Sequence, residues 1–144
     1  MTKRAVLVCF VAALSFSLPA AQGGEKNKSV TVDVSKLPPA SDKQGVTYAG
    51  GVKAIFDESC IRCHGPEKPK ARLRLDSLEG ALKGSEDGKV IRPGNSAGSL
   101  LIHCVAHAGD PDVYMPPPKN KANIAPLTKE QIGLIRAWID QGAK

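Results

Sequence analysis

Apolar and polar positions divide this chain into three regimes. Residues Ala5 to Leu18 form an apolar run behind Lys3 and Arg4. Residues 22–47 are polar, with Lys26, Asn27, Lys28, Pro38, Pro39 and Ser41, and hold no sustained period. That stretch reads as a flexible leader, with Val30-Thr31-Val32-Asp33-Val34 at most a short extended piece. From Tyr48 onward apolar residues recur at helical spacing.

Within this third regime the spacing predicts about four helices. Val52, Ile55 and Phe56 give a first helix that runs into Cys60 and is stopped by Gly65 and Pro66. Asp76-Ser77-Leu78-Glu79 has the cap-then-acid order of a short second helix ending at Gly84. Ser96 or Ser99 can cap a third, with Leu100, Leu101, Cys104, Val105 and Ala108 on its apolar face and Gly109 and Pro111 closing it. The last is the clearest. Thr128-x-x-Gln131 is a capping box, Ile132, Ile135 and Ile139 form one stripe with Leu134 and Trp138 beside it, and Gly142 follows as C-cap. Between the third and fourth helices Met115 precedes three prolines, Pro116 to Pro118, which stiffen the backbone and forbid helix. Strand signals are weak throughout, so the expected fold is mainly α, over residues 48–144.

The apolar run at the N-terminus, with a basic start and small residues at Ala20 and Ala21, reads as a signal peptide over residues 1–21. It is shorter than the roughly 20 residues that span a bilayer. No membrane span is expected once it is removed, and the expected location is the periplasm or another exported compartment.

The chemistry concentrates in Cys60-Ile61-Arg62-Cys63-His64. Cys-x-x-Cys-His is an attachment site for c-type haem, with two thioethers to the porphyrin and the histidine as axial ligand to iron. Without the histidine, the same cysteines could equally be a redox dithiol or half of a zinc site. Export supports the haem reading, because bacteria attach haem c outside the cytoplasm. One such motif means one haem c, and one iron, per chain.

Composition then gains meaning. Only 4% of residues are aromatic, while Gly (14) and Pro (11) abound, so the chain alone makes a thin core that a buried porphyrin would complete. Lys plus Arg less Asp plus Glu is 20 − 14 = +6, and +4 without Lys3 and Arg4. This mild excess is not a nucleic-acid signature. Locally, Arg62, Lys68, Lys70, Arg72 and Arg74 crowd the haem motif. They read as a solvated loop, a docking face for acidic redox partner proteins, or counter-charges to the propionates.

For the opposite face of the iron the candidates are Met115, His103, His107 or an open position. Met115 is the only methionine left after Met1 goes with the signal, and its loop is stiff. His103 and His107 share a helical face at i, i+4 but have no further Cys or His nearby to complete a metal site. Cys104 is a leftover thiol, expected to be buried and inert on the third helix.

From Tyr48 to the C-terminus the chain resembles the planctomycete-type cytochrome c domain, a branch of the class I c-type cytochromes. The resemblance rests on Cys60 to Glu67, Leu73-Arg74-Leu75-Asp76, Arg92-Pro93-Gly94-Asn95, Ser99-Leu100-Leu101, Asp110-Pro111-Asp112 with Met115-Pro116-Pro117, and Leu127-Thr128 through Gln141-Gly142. It implies a small class I cytochrome c fold around one covalent haem, Cys60 and Cys63 as attachment points, His64 and Met115 as axial ligands, and electron transfer as the activity. The expectation is therefore a monomeric, non-enzymatic, exported electron carrier. A haem enzyme or gas sensor with an open or weakly held sixth position is the alternative, and the first and last helices are expected to bracket the haem.

Overall fold

A computed structural model describes residues 33–144 of the chain; the expected signal peptide and the first part of the expected leader lie outside the described residues. Among the described residues five α-helices form: α1 (Lys53–Ser59), α2 (Ile61–His64), α3 (Leu78–Lys83), α4 (Leu100–Val105) and α5 (Lys129–Asp140). A π-helical turn, Tyr48–Val52, precedes α1, and three short 3-10 turns occupy Val34–Lys36, Lys70–Arg72 and Pro111–Val113. Among the described residues there is no strand, only an isolated bridge between Ser85 and Gly88. The mainly α expectation holds.

The expected first helix is two. At Cys60 the backbone departs from helical values, with φ −124° and ψ −40°, and α2 restarts one residue later. Gly65 then ends α2 by turning extended, at φ −89° and ψ −168°, and a Cβ there would stand 2.4 Å from the carbonyl oxygen of Ile61. Ser77 caps α3 by accepting from Gly80 N at 3.1 Å. Ser99 occupies the cap position of α4, but its hydroxyl accepts from Arg92 N and donates to Asn95 O instead of capping. The capping box of α5 is complete, with Gln131 N donating to Thr128 Oγ1 and Thr128 N to Gln131 Oε1.

The core gathers around α5. Ile132, Ile135, Trp138 and Ile139 are buried as the stripe predicts. Trp138, Phe56 and Tyr48 form a triad with ring centroids 6.0 to 6.2 Å apart, and the Phe56–Trp138 pair meets edge to face. Such geometry adds to burial for aromatic rings. The C-terminal residue closes this core, since the Lys144 carbonyl accepts from both Tyr48 N (2.8 Å) and Trp138 Nε1 (3.0 Å). On the other flank Asp140 accepts from Ser96 N and Oγ, and Arg136 Nε donates to the same hydroxyl.

Two expectations change. Residues 33–47, read as part of a flexible leader, form a strap packed along α5. Leu37 and Val46 are buried, Ser41 N donates to Gly133 O at 2.9 Å, Gln141 donates to Lys43 O, and Arg136 donates to Pro38 O. Also, α5 does not bracket the haem motif: it packs on the Tyr48–Val52 turn and α4, supporting the site from behind. Among the described residues no helix is long and apolar enough to cross a membrane.

Candidate functional site

His64 is the last residue of α2 and is buried. Two contacts with the backbone fix it, and a third bond backs them. Its Nδ1 faces Leu73 O at 3.3 Å, its carbonyl accepts from Leu75 N at 2.8 Å, and Leu75 O accepts from the buried hydroxyl of Tyr48 at 2.9 Å. The strand-like segment Leu73 to Leu75 is thus clamped between the aromatic core and the imidazole. Burial lowers the His64 pKa, with hydrogen bonds to the Leu73 and Lys70 carbonyls partly offsetting it. A neutral ring with its proton on Nδ1 leaves the Nε2 lone pair for a metal, and the carbonyl partner orients the ring and raises its basicity.

Met115 stands on the loop between α4 and α5, after the Pro111–Val113 turn, and its N–H donates to Cys104 O at 3.0 Å. It is half-buried and joined to Pro116 by a cis peptide. His103 and His107 lie nearby but are engaged elsewhere. His103 Nε2 contacts Ala97 O at 2.7 Å, and His107 Nε2 contacts Pro116 O at 3.1 Å.

One cleft, about 760 Å³ in volume, brings the expected residues together: Cys60, Cys63, His64 and Met115 all line it, and neither His103 nor His107 does. Leu73, Leu75, Val90, Leu101, Val105 and Leu127 supply buried apolar walls, with the partly exposed Leu100 and Ile124 beside them. That size falls within the ~300–1,000 Å³ usual for ligand and cofactor sites. Among the described residues no buried side-chain polar atom lacks a partner, so the walls make no unmet polar demand on an apolar plate. Burial, then the neighbouring Cys63, pushes the Cys60 thiol up to about 12. The residues fit a haem: thiols for two thioethers, an imidazole nitrogen, a thioether sulfur and greasy walls.

The rim is basic, with exposed Arg62, Lys70, Lys119 and Lys121 against Asp87 and Asp112. None of these four cations forms an ion pair among the described residues. Of the other cations near the motif, Arg74 pairs with Asp76, Arg72 pairs with Glu86, and Lys68 does not line the cleft. Lys119 and Lys121 escaped the sequence reading because the rim is assembled from segments far apart in the chain, Arg62 and Lys70 on one side and Lys119 and Lys121 on the other. Cys104 departs from expectation too, being half-buried on the cleft wall, where burial pushes its thiol up to about 11.

One apolar cleft thus joins the Cys-x-x-Cys-His helix to the methionine loop. Residues 60–119 match the family model described as planctomycete cytochrome C. The match runs from the first haem cysteine to the rim lysine Lys119, and so contains all four expected site residues. The cytochrome c family that this stretch matches implies covalently bound haem, and Cys60 and Cys63 are present in it. No curated protein and no solved structure matches the chain.

Proposed function

We propose that this chain is an exported single-haem electron carrier in which Cys60 and Cys63 would tether the porphyrin and His64 and Met115 would hold its iron. The observation that carries this reading is the convergence of these four residues on one apolar cleft, with the competing histidines turned to backbone carbonyls. When bound, haem supplies an iron that accepts and releases one electron. His64 would give that iron a neutral, well-oriented nitrogen. Met115 would give it a soft sulfur, which favours the reduced metal and raises its potential. The apolar walls exclude water, which limits reorganisation when charge changes. Around the mouth, Arg62, Lys70, Lys119 and Lys121 offer an attractive face to acidic redox partner proteins and counter-charge to the propionates. In this reading the monomer turns over no substrate.

The test is spectroscopic. The exported protein should retain haem mass after denaturation, and its oxidised form should be low-spin with the near-infrared band of sulfur-to-iron charge transfer. That band should vanish in Met115→Ala while haem stays covalently bound. A colourless protein would overturn the haem reading, and a high-spin oxidised spectrum would replace the carrier with an open-site haem protein.

A further inference from the structure

Met115 owes its place to its neighbours. Its N–H and that of His107 both donate to the carbonyl of Cys104, at 3.0 and 3.3 Å, which ties the loop to the end of α4. The imidazole of His107 then reaches both residues flanking Met115. Its ring is parallel to that of Tyr114, at 4.6 Å between centroids and 1° between planes, and its Nε2 donates to Pro116 O at 3.1 Å. Tyr114 is held in turn by its hydroxyl, which donates to Gly109 O at 3.1 Å. His107 adopts φ 51°, a left-handed conformation unfavourable for a residue with a side chain. Such backbone persists where surrounding contacts over-determine it.

We propose that His107 is the positioning residue for Met115: one side chain that grips the residue before and the residue after the thioether, and so keeps the sulfur presented to the cleft. This rests on the His64/Met115 reading above. His107 itself does not line the cleft, so it could become a ligand only by giving up both contacts. The donor role requires a proton on Nε2, a tautomer compatible with the stacked ring.

The test uses the oxidised holoprotein with added imidazole, which competes with Met115 for iron and is followed by loss of the sulfur-to-iron band. His107→Phe keeps a flat ring for Tyr114 and loses the donor. His107→Gln keeps a donor and loses the stack, and His107→Ala loses both. Ser96→Ala serves as control, since it removes a buried hydroxyl bonded to Asp140 and Arg136 on the α5 flank and lowers stability without touching the loop. Imidazole should bind His107→Ala about tenfold more tightly, the size expected for losing one hydrogen bond and one stacked pair. The Phe and Gln variants should fall between it and the parent, and Ser96→Ala should match the parent. Equal imidazole affinity in the parent and all His107 variants that fold overturns the latch, as does an equal gain in Ser96→Ala. A parent protein without the band overturns the Met115 reading itself, and the latch with it.

Discussion

The two walls of the cleft are built by different means. His64 is anchored through backbone bonds to Leu73 and Leu75, and behind these by a tyrosine 27 positions from its acceptor and packed on Phe56 and Trp138. Met115 is held by contacts drawn from the short stretch between Cys104 and Pro116. The first wall is part of the hydrophobic core, and the second is a stiff loop latched to a helix end. Collapse of the core should therefore reach both His64 and Met115, whereas damage to the loop should reach Met115 alone.

The largest effect should come from Trp138→Ala, which empties the centre of the aromatic triad. Replacing a buried aromatic in this way costs ~3–5 kcal/mol, and thermal unfolding should move down by roughly ten degrees or more. A loss below about 1 kcal/mol would show that the His64 wall does not depend on the core as argued.

A smaller and more local effect is expected from Tyr48→Phe. The ring stays in the triad while Leu75 O loses its partner inside the core, at a cost of ~1–3 kcal/mol. In the reduced holoprotein the Nδ1–H of His64 should exchange with solvent faster, while the sulfur-to-iron band of the oxidised form stays in place. Unchanged exchange would detach the tyrosine from the His64 wall.

The smallest effect concerns Cys104, on the other wall. Burial raises its pKa from the ordinary 9.0 to about 11, so only ~0.1% is thiolate at pH 8. Alkylation by iodoacetamide in the native protein should be slow there and rise about tenfold per pH unit up to that value. The linkage sign follows: between 9.0 and about 11 the unfolded chain has released a proton that the folded chain keeps, so stability falls as pH rises across that window. Fast alkylation at pH 8 would mean that the loop wall opens freely. Cys104→Ala should flatten the alkaline slope.

Much of this organisation is legible in the residues and some is not. The capping box of α5, its apolar stripe, the haem motif and the methionine before its prolines are written in side-chain types, and each appears where the spacing puts it. The groups that hold His64 are mostly main-chain carbonyls and amides, which no side-chain pattern encodes. His103 and His107 show why spacing alone misleads: they share a helical face on paper, yet the Nε2 of each is spent on a carbonyl. Ser99 is a capping residue by type whose hydroxyl serves the preceding loop. The strap along α5 did leave a trace in the sequence. Gly133 interrupts the interior of the best helix, a costly choice of about 1 kcal/mol relative to Ala, and a Cβ there would lie 2.8 Å from Pro39 O. A glycine inside a strong helical pattern marks the close approach of another backbone.

That strap has a consequence for how such a domain could be carried. Neither residues 33–47 nor any residue of α5 contributes to the lining of the cleft. The described chain therefore starts along a helix that takes no part in the cleft. An attachment at that point, whether to a membrane, a larger enzyme or a second carrier, would act as a handle and not as a plug.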